Sequence, residues 1–172
     1  MTSKLILATG LAAALALSAS ANAQSANKDS QKFIKAAIEG NYAEIDMGKL
    51  AQENGKSDAV KQYGAMLVRD HSDANEKAKQ VASQLGVEPP TGASVTAKAG
   101  YLKLKVLSGD TFDRSFAKDM FKDHQADIKE FQKESQKSDP AGSFAKETLP
   151  TLQQHLQQAQ QLTQQTQTTG SK

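Results

Sequence analysis

Residues 60–85 read VKQYGAMLVRDHSDANEKAKQVASQL, and the fold turns on how their apolar positions are spaced. Val60, Gly64, Leu67, His71, Ala74, Ala78, Val81 and Leu85 follow one another in alternating steps of four and three, which lays them along one face of an amphipathic helix. Ser57 and Asp58 supply an N-cap ahead of the run, and Gly86 with Pro89-Pro90 ends it. The stretch is therefore a helix that carries a histidine, His71, inside its apolar seam.

Toward the N-terminus, residues 29–53 contain no Pro and repeat the pattern through Phe33, Ile34, Ala37, Ile38, Ile45, Leu50 and Ala51. Asn54-Gly55 predicts a left-handed C-cap for this helix. Beyond residue 86 the composition shifts to Pro, Gly, Thr and Ala, which reads as a crossover with a short helix around 96–107. That short helix contains YLKLKVL and is expected as a lid over one end of the bundle; Lys103 and Lys105 alone are too few for a membrane-surface helix. Asp110, with Asp113 three residues on, is expected to cap a helix through Phe116, Met120, Phe121, His124, Ile128 and Phe131. Asp139-Pro140 starts a further helix through Phe144, Leu149, Leu152, Leu156, Ala159 and Leu162, bent at Pro150.

The chain also repeats itself. Phe33-Ile34-Lys35 and Ala43-Glu44-Ile45 recur at one offset as Phe116-Ala117-Lys118 and Ala126-Asp127-Ile128, and Lys56-Ser57-Asp58 recurs as Lys137-Ser138-Asp139. A duplicated helical hairpin explains this. Each hairpin has an apolar face it cannot bury alone, so the sequence predicts an all-α fold, a ferritin-like four-helix bundle of two hairpins joined by a long crossover with a short extra helix.

Length and composition agree with one such domain: 172 residues, 38% apolar, no Cys and no Trp. Residues 1–23, with Lys4 before an apolar run from Leu5 to Leu17 and then small residues ending in Ala21-Asn22-Ala23, read as a secretory signal peptide cleaved after Ala23. Residues 24–28 follow as a flexible N-terminus, 29–163 as the bundle and 164–172 as a disordered Gln/Thr-rich tail. Export, most simply to the periplasm, is expected, with the extracellular space as the other destination, and the mature chain is expected to have no transmembrane segment. Cleavage removes Lys4 from the 21 basic residues, leaving 20 against 19 acidic ones, a balance that argues against nucleic acid as a partner. An envelope protein or a second copy of the chain are the partner classes this compartment allows.

The segments FIKAAIEGNYAEIDMGKLA, VKQYGAMLVRDHSDAN, LSGDTFDRSFAKDMFKDHQADIKEFQKES and FAKETLPTLQQHLQQAQQL resemble a bacterial envelope family catalogued as domain of unknown function 4142. The resemblance spans roughly residues 30–162 and rests on RDH, LSG-x-x-FDR, KDHQ and TLP-x-L-x-x-H. It implies a secreted ferritin-like helical bundle and brings no assigned activity.

All three histidines, His71, His124 and His155, fall on or beside apolar helical faces, one on each of three helices. Glu44 and Asp127 hold matching places in the repeat, and His124-x-x-Asp127 shares one face of a turn. These five residues are the candidate ligands for a transition metal ion, iron, zinc or copper, because neutral imidazole and carboxylate lining a bundle core is a metal-holding arrangement. A di-iron site would also need Glu three residues before His on two helices, but Val68 and Leu152 stand before His71 and His155. On the alternative reading each imidazole bonds a neighbouring carboxylate or carbonyl as a polar contact in the core. On that base rate the sequence favours a non-enzymatic envelope stress or interaction module, with the metal-binding protein as the competing class. Asp70 and Asp123 are expected as surface or interhelix partners of groups such as Arg69 or Lys122, and Asp113 with Arg114 as the anchor of the crossover. No nucleophile elbow, phosphate loop or zinc-protease helix is present, so no catalytic or cofactor-binding residue is assigned.

Overall fold

The periods near 3.6 become five α-helices in the computed structural model, which describes residues 12–168 and the side chains of residues 27–167. They are α1 (Ala12–Asn54), α2 (Asp58–Gln84), α3 (Val95–Lys105), α4 (Gly109–Glu134) and α5 (Pro140–Thr168), with no strand among the described residues. α1 packs along α2 and α4 along α5, as two hairpins. The all-α bundle expected from the repeat is the observed fold.

Residues 1–11, which hold Lys4 and the start of the expected leader, lie outside the described residues, as do residues 169–172 of the expected tail. α1 is already helical ahead of residue 29, including residues 24–28 that the sequence suggested as flexible. At the other end the helix continues past residue 163: Thr166 is buried, and its hydroxyl donates to the Leu162 carbonyl at 2.8 Å. No helix among the described residues is long and apolar enough to cross a membrane.

The core is split along the bundle axis. One apolar cluster gathers Met47, Leu50, Val60, Leu67, Phe112, Phe116, Met120 and Leu162. The other gathers Ile34, Ile38, Ala78, Ala82, Ile128, Phe131, Phe144 and Leu152. Following the numbers through the two clusters gives the direction of each helix: α1 and α5 run one way, α2 and α4 the other. The connection from α2 to α4 therefore returns along the bundle, which is the long crossover expected.

Local chemistry fixes the joints. The Ser57 hydroxyl accepts the Val60 amide at 3.3 Å and caps α2. Asp139 accepts the Gly142 amide at 2.8 Å and opens α5 just ahead of Pro140, as its sequence predicted. Gly86, at φ +66, ends α2 in the left-handed region where a side chain would be strained. α5 stays helical through Pro150.

Three joints differ from expectation. Gly55 has no positive φ; a Cβ there would meet the Ala51 carbonyl oxygen at 2.4 Å, so the glycine permits close approach instead of a left-handed cap. Asp110 does not cap α4, whose N-cap Ser108 makes no side-chain bond; the Asp110 carboxylate pairs with Lys56 at 2.8 Å instead, and the buried Asp113 ties the start of α4, just past the crossover, to the α1–α2 turn. Its two oxygens accept the Lys56 and Ser57 amides, each at 2.9 Å, because the free amides at the start of α2 face it across the hairpin boundary. The end of the crossover is held also by Asn54, whose Nδ2 donates to the carbonyls of Lys105 at 3.2 Å and Leu107 at 3.1 Å. α3 is a strap rather than a lid: it lies against α1, with Leu104 buried in the first cluster and Tyr101 beside it.

Candidate metal centre

Between the two apolar clusters every long helix contributes a buried polar residue: Asn41 and Glu44 from α1, His71 and Asn75 from α2, His124 from α4 and His155 from α5. Each sits where the helical stripe crosses mid-bundle. The residues flanking them along each helix are apolar, so the packing that buries Leu67 or Met120 buries these as well.

The three imidazoles converge. Ring centroids lie 5.2 Å apart for His71–His155, 5.3 Å for His124–His155 and 5.8 Å for His71–His124. One nitrogen from each ring lies within 4.8 Å of those of the other two. The outer nitrogens are tied down. His71 Nδ1 donates to Asn41 Oδ1 at 2.9 Å, His124 Nδ1 to the Met120 carbonyl at 2.9 Å, and His155 Nε2 to Asp70 Oδ2 at 3.0 Å. A carbonyl or carboxylate can only accept, so each bond places the ring's proton on its outer nitrogen. The inner nitrogens, His71 Nε2, His124 Nε2 and His155 Nδ1, are then lone pairs.

Those lone pairs have nothing to accept from. His71 Nε2 is buried without a partner. His124 Nε2 and His155 Nδ1 face each other at 3.3 Å, and neither neutral ring can donate to the other. Protonating a ring would relieve this, but the protein opposes it. Burial pushes His124 down to about 4, with His155 adding to the effect. Burial also pulls His71 well down, helped by the other two rings, and lowers His155 despite the nearby Asp70. Two nitrogens bound to one tetrahedral ion at about 2.0–2.1 Å sit about 3.3–3.4 Å apart, so the closest pair already has ligand spacing.

The surrounding shell matches this use. Imidazole ligands ordinarily donate their second nitrogen to a carboxylate or carbonyl, which orients the ring. Asp70 does so for His155, and its other oxygen accepts from Arg69 Nε at 2.7 Å. Burial of Asp70 acts upward on its carboxyl, but the bonds from Arg69 and His155 outweigh it and hold it below the usual range. Asp70 is thus the interhelix partner expected of it. The Tyr63 hydroxyl donates to the His155 backbone carbonyl at 3.1 Å and braces α5 against α2.

Of the five residues singled out from sequence, three are brought together as a ligand-like group. Glu44 and Asp127 are not part of it. Glu44 is buried at 6% exposure with Oε2 unpartnered, and burial, then Asp127 and Asp123, raise its carboxyl well above the ordinary value. Asp127 is half-buried and raised to about 6 by burial, with Asp123 and Glu130 contributing. Sequence reasoning missed Asn41 and Asn75. The signal for Asn41 was present, because the offset that relates Glu44 to Asp127 also relates Asn41 to His124.

Comparison with known proteins follows the fold. The sequence profile of a family described as "Domain of unknown function (DUF4142)" matches residues 15–162. The crystal structure of a DUF305 fragment from Deinococcus radiodurans superposes with a TM-score of 0.70 at 12% identity, covering 79% of this chain and 95% of the fragment. At that identity the likeness speaks to fold alone. No curated protein matches the chain.

Proposed function

The chain belongs to the DUF4142 family, and from the three imidazoles its bundle encloses we propose that it is an exported transition-metal-binding protein with His71, His124 and His155 as ligands. The observation that carries this is the set of three inward lone pairs, buried together, with no donor to satisfy them. The polar-contact reading requires buried nitrogens to pair with one another or with neighbours. Here the outer nitrogens do and the inner ones do not, which is the pattern of a site built for a cation. An all-imidazole set suits zinc or copper better than the carboxylate-rich di-iron arrangement. Glu44 and Asp127 stand outside the ligand set, and three protein ligands leave a further coordination position for water or another small ligand.

Metal analysis of protein purified without a histidine tag is expected to give one zinc or copper ion per chain. Alanine substitution at any one of the three histidines is expected to abolish it. A metal-free wild type that binds neither ion at micromolar concentration overturns the proposal. The leader is part of the same reading: protein recovered from the cell envelope is expected to begin at Gln24, and a chain retaining Met1 there counts against export by cleavage.

A further inference from the structure

An ion bound by His124 and His155 would sit where neither residue has any exposure, so it needs a way in. Between α1 and α4 a cleft of about 100 Å³ runs inward from the surface; apolar side chains, Phe33 and Phe131 among them, form half of its lining, and Gly40, Asn41, His71, Asp127 and Glu130 form the rest. Exposure falls steadily along this set. Glu130 is exposed, Asp127 and Gly40 are half-buried, and Asn41 and His71 are buried. His71 and Asn41 form its floor, and His71 Nε2 and Asn41 Nδ2, both without hydrogen-bond partners, lie buried beneath it.

We propose that this cleft is the route by which a hydrated divalent cation reaches the three imidazoles, with Asp127 and Glu130 as the carboxylates that collect it at the mouth. The inference rests on the metal-binding reading above. Charge favours this side. Asp127 stands near Asp123 and Glu130, and no ion pair among the described residues involves Asp127 or Glu130, so the mouth presents carboxylates that no bonded cation neutralises. The cleft on the opposite face, between α2 and α5, leads to Asp70, whose oxygens are already taken by Arg69 and His155. Asp73 and Glu147 also line that cleft, but Arg69 and Lys77 offset their charge, whereas no Lys or Arg side chain lines the cleft between α1 and α4, so the pull on a cation is stronger there. The carboxylates of the mouth can replace water around the ion stepwise before it reaches nitrogen ligands.

The test is Co(II) loading of metal-free protein, followed by stopped-flow absorbance of the bound ion, in wild type and two variants. The double variant Asp127→Asn/Glu130→Gln removes the charge; loading is expected to slow by about tenfold at low salt and to lose most of its dependence on ionic strength. Gly40→Phe places a ring over the cleft. A Cβ at Gly40 meets no atom within 4 Å, so the side chain can start there without a clash, and a wild-type melting temperature of the variant checks that the bundle accepts the ring. Loading and chelator-driven release are both expected to slow by the same factor, leaving the dissociation constant unchanged. Wild-type loading rates in both variants overturn the route while leaving the metal site standing. A wild type that binds no Co(II) at all overturns the site and the route together.

Discussion

Asp127 holds a carboxyl that burial, Asp123 and Glu130 raise from 3.8 to about 6. As pH rises from 3.8 to 6, the unfolded chain gives up this proton before the folded chain does, so folded stability falls through that window and the penalty is complete above 6. Asp127→Asn removes the charge; at pH 8 it is expected to stabilise the metal-free protein by on the order of 2 kcal/mol, and at pH 4 hardly at all, by urea denaturation. His71→Leu tests the other side of the site. Leucine replaces a ring whose Nε2 is unpartnered but strands Asn41 Oδ1, so the metal-free variant is expected to melt within a few degrees of wild type. The stabilisation by metal, about 3 kcal/mol at a hundredfold excess over the dissociation constant, is expected to vanish. Thermal melts with and without zinc check both statements. The three histidines were legible because spacing alone assigns a residue to a helical face. Spacing does not say how far a side chain reaches or which way it turns, and so Glu44 and Asp127 were placed on the right faces but wrongly gathered into one cluster.

At the scale of helices, α1 and α2 touch backbone to backbone. A Cβ on Gly48 would lie 2.5 Å from the Gly64 carbonyl oxygen, and a Cβ on Gly64 would lie 2.5 Å from that of Gly48. Gly64→Ala is therefore expected to force the pair apart and cost about 1–3 kcal/mol, measured as a shift in the midpoint of chemical denaturation. Helix existence and order were legible throughout, because apolar periodicity and capping residues are local signals. The fine position of the buried stripe was not. Alternating steps of four and three average 3.5 residues per turn, whereas a straight helix advances 3.6 and drifts by about 20° per heptad. Along α2 the stripe accordingly slips from Ala74 and Val81 to Asn75 and Ala82. The roles of Asn54 and Asp113 lay beyond sequence for a related reason: their partners are more than fifty residues away, and no local pattern encodes them.

On the scale of the whole molecule, the proposed ligands come from both halves of the duplication, His71 from the first hairpin and His124 and His155 from the second. A bound ion would join the hairpins along a seam that packing alone holds less closely than it holds each hairpin. Removing metal with a chelator is expected to speed amide hydrogen exchange along α2 and α5 around mid-bundle, while leaving the α1–α2 turn unchanged; mass spectrometry of exchanged peptides reads this directly. The overall duplication and crossover were legible from the repeated tripeptides, since doubling a hairpin leaves few ways to cover two apolar faces. The tier of histidines, asparagines and Glu44 between two greasy blocks has one last consequence. Slide any one rod by a single turn, about 5.4 Å, and an imidazole or a carboxyl enters hydrocarbon while a leucine takes its place among amides, at several kcal/mol for each group left unsolvated. The four rods thus share one stop along their length, and a second copy trading a hairpin with this one would have to come to rest at the same notch.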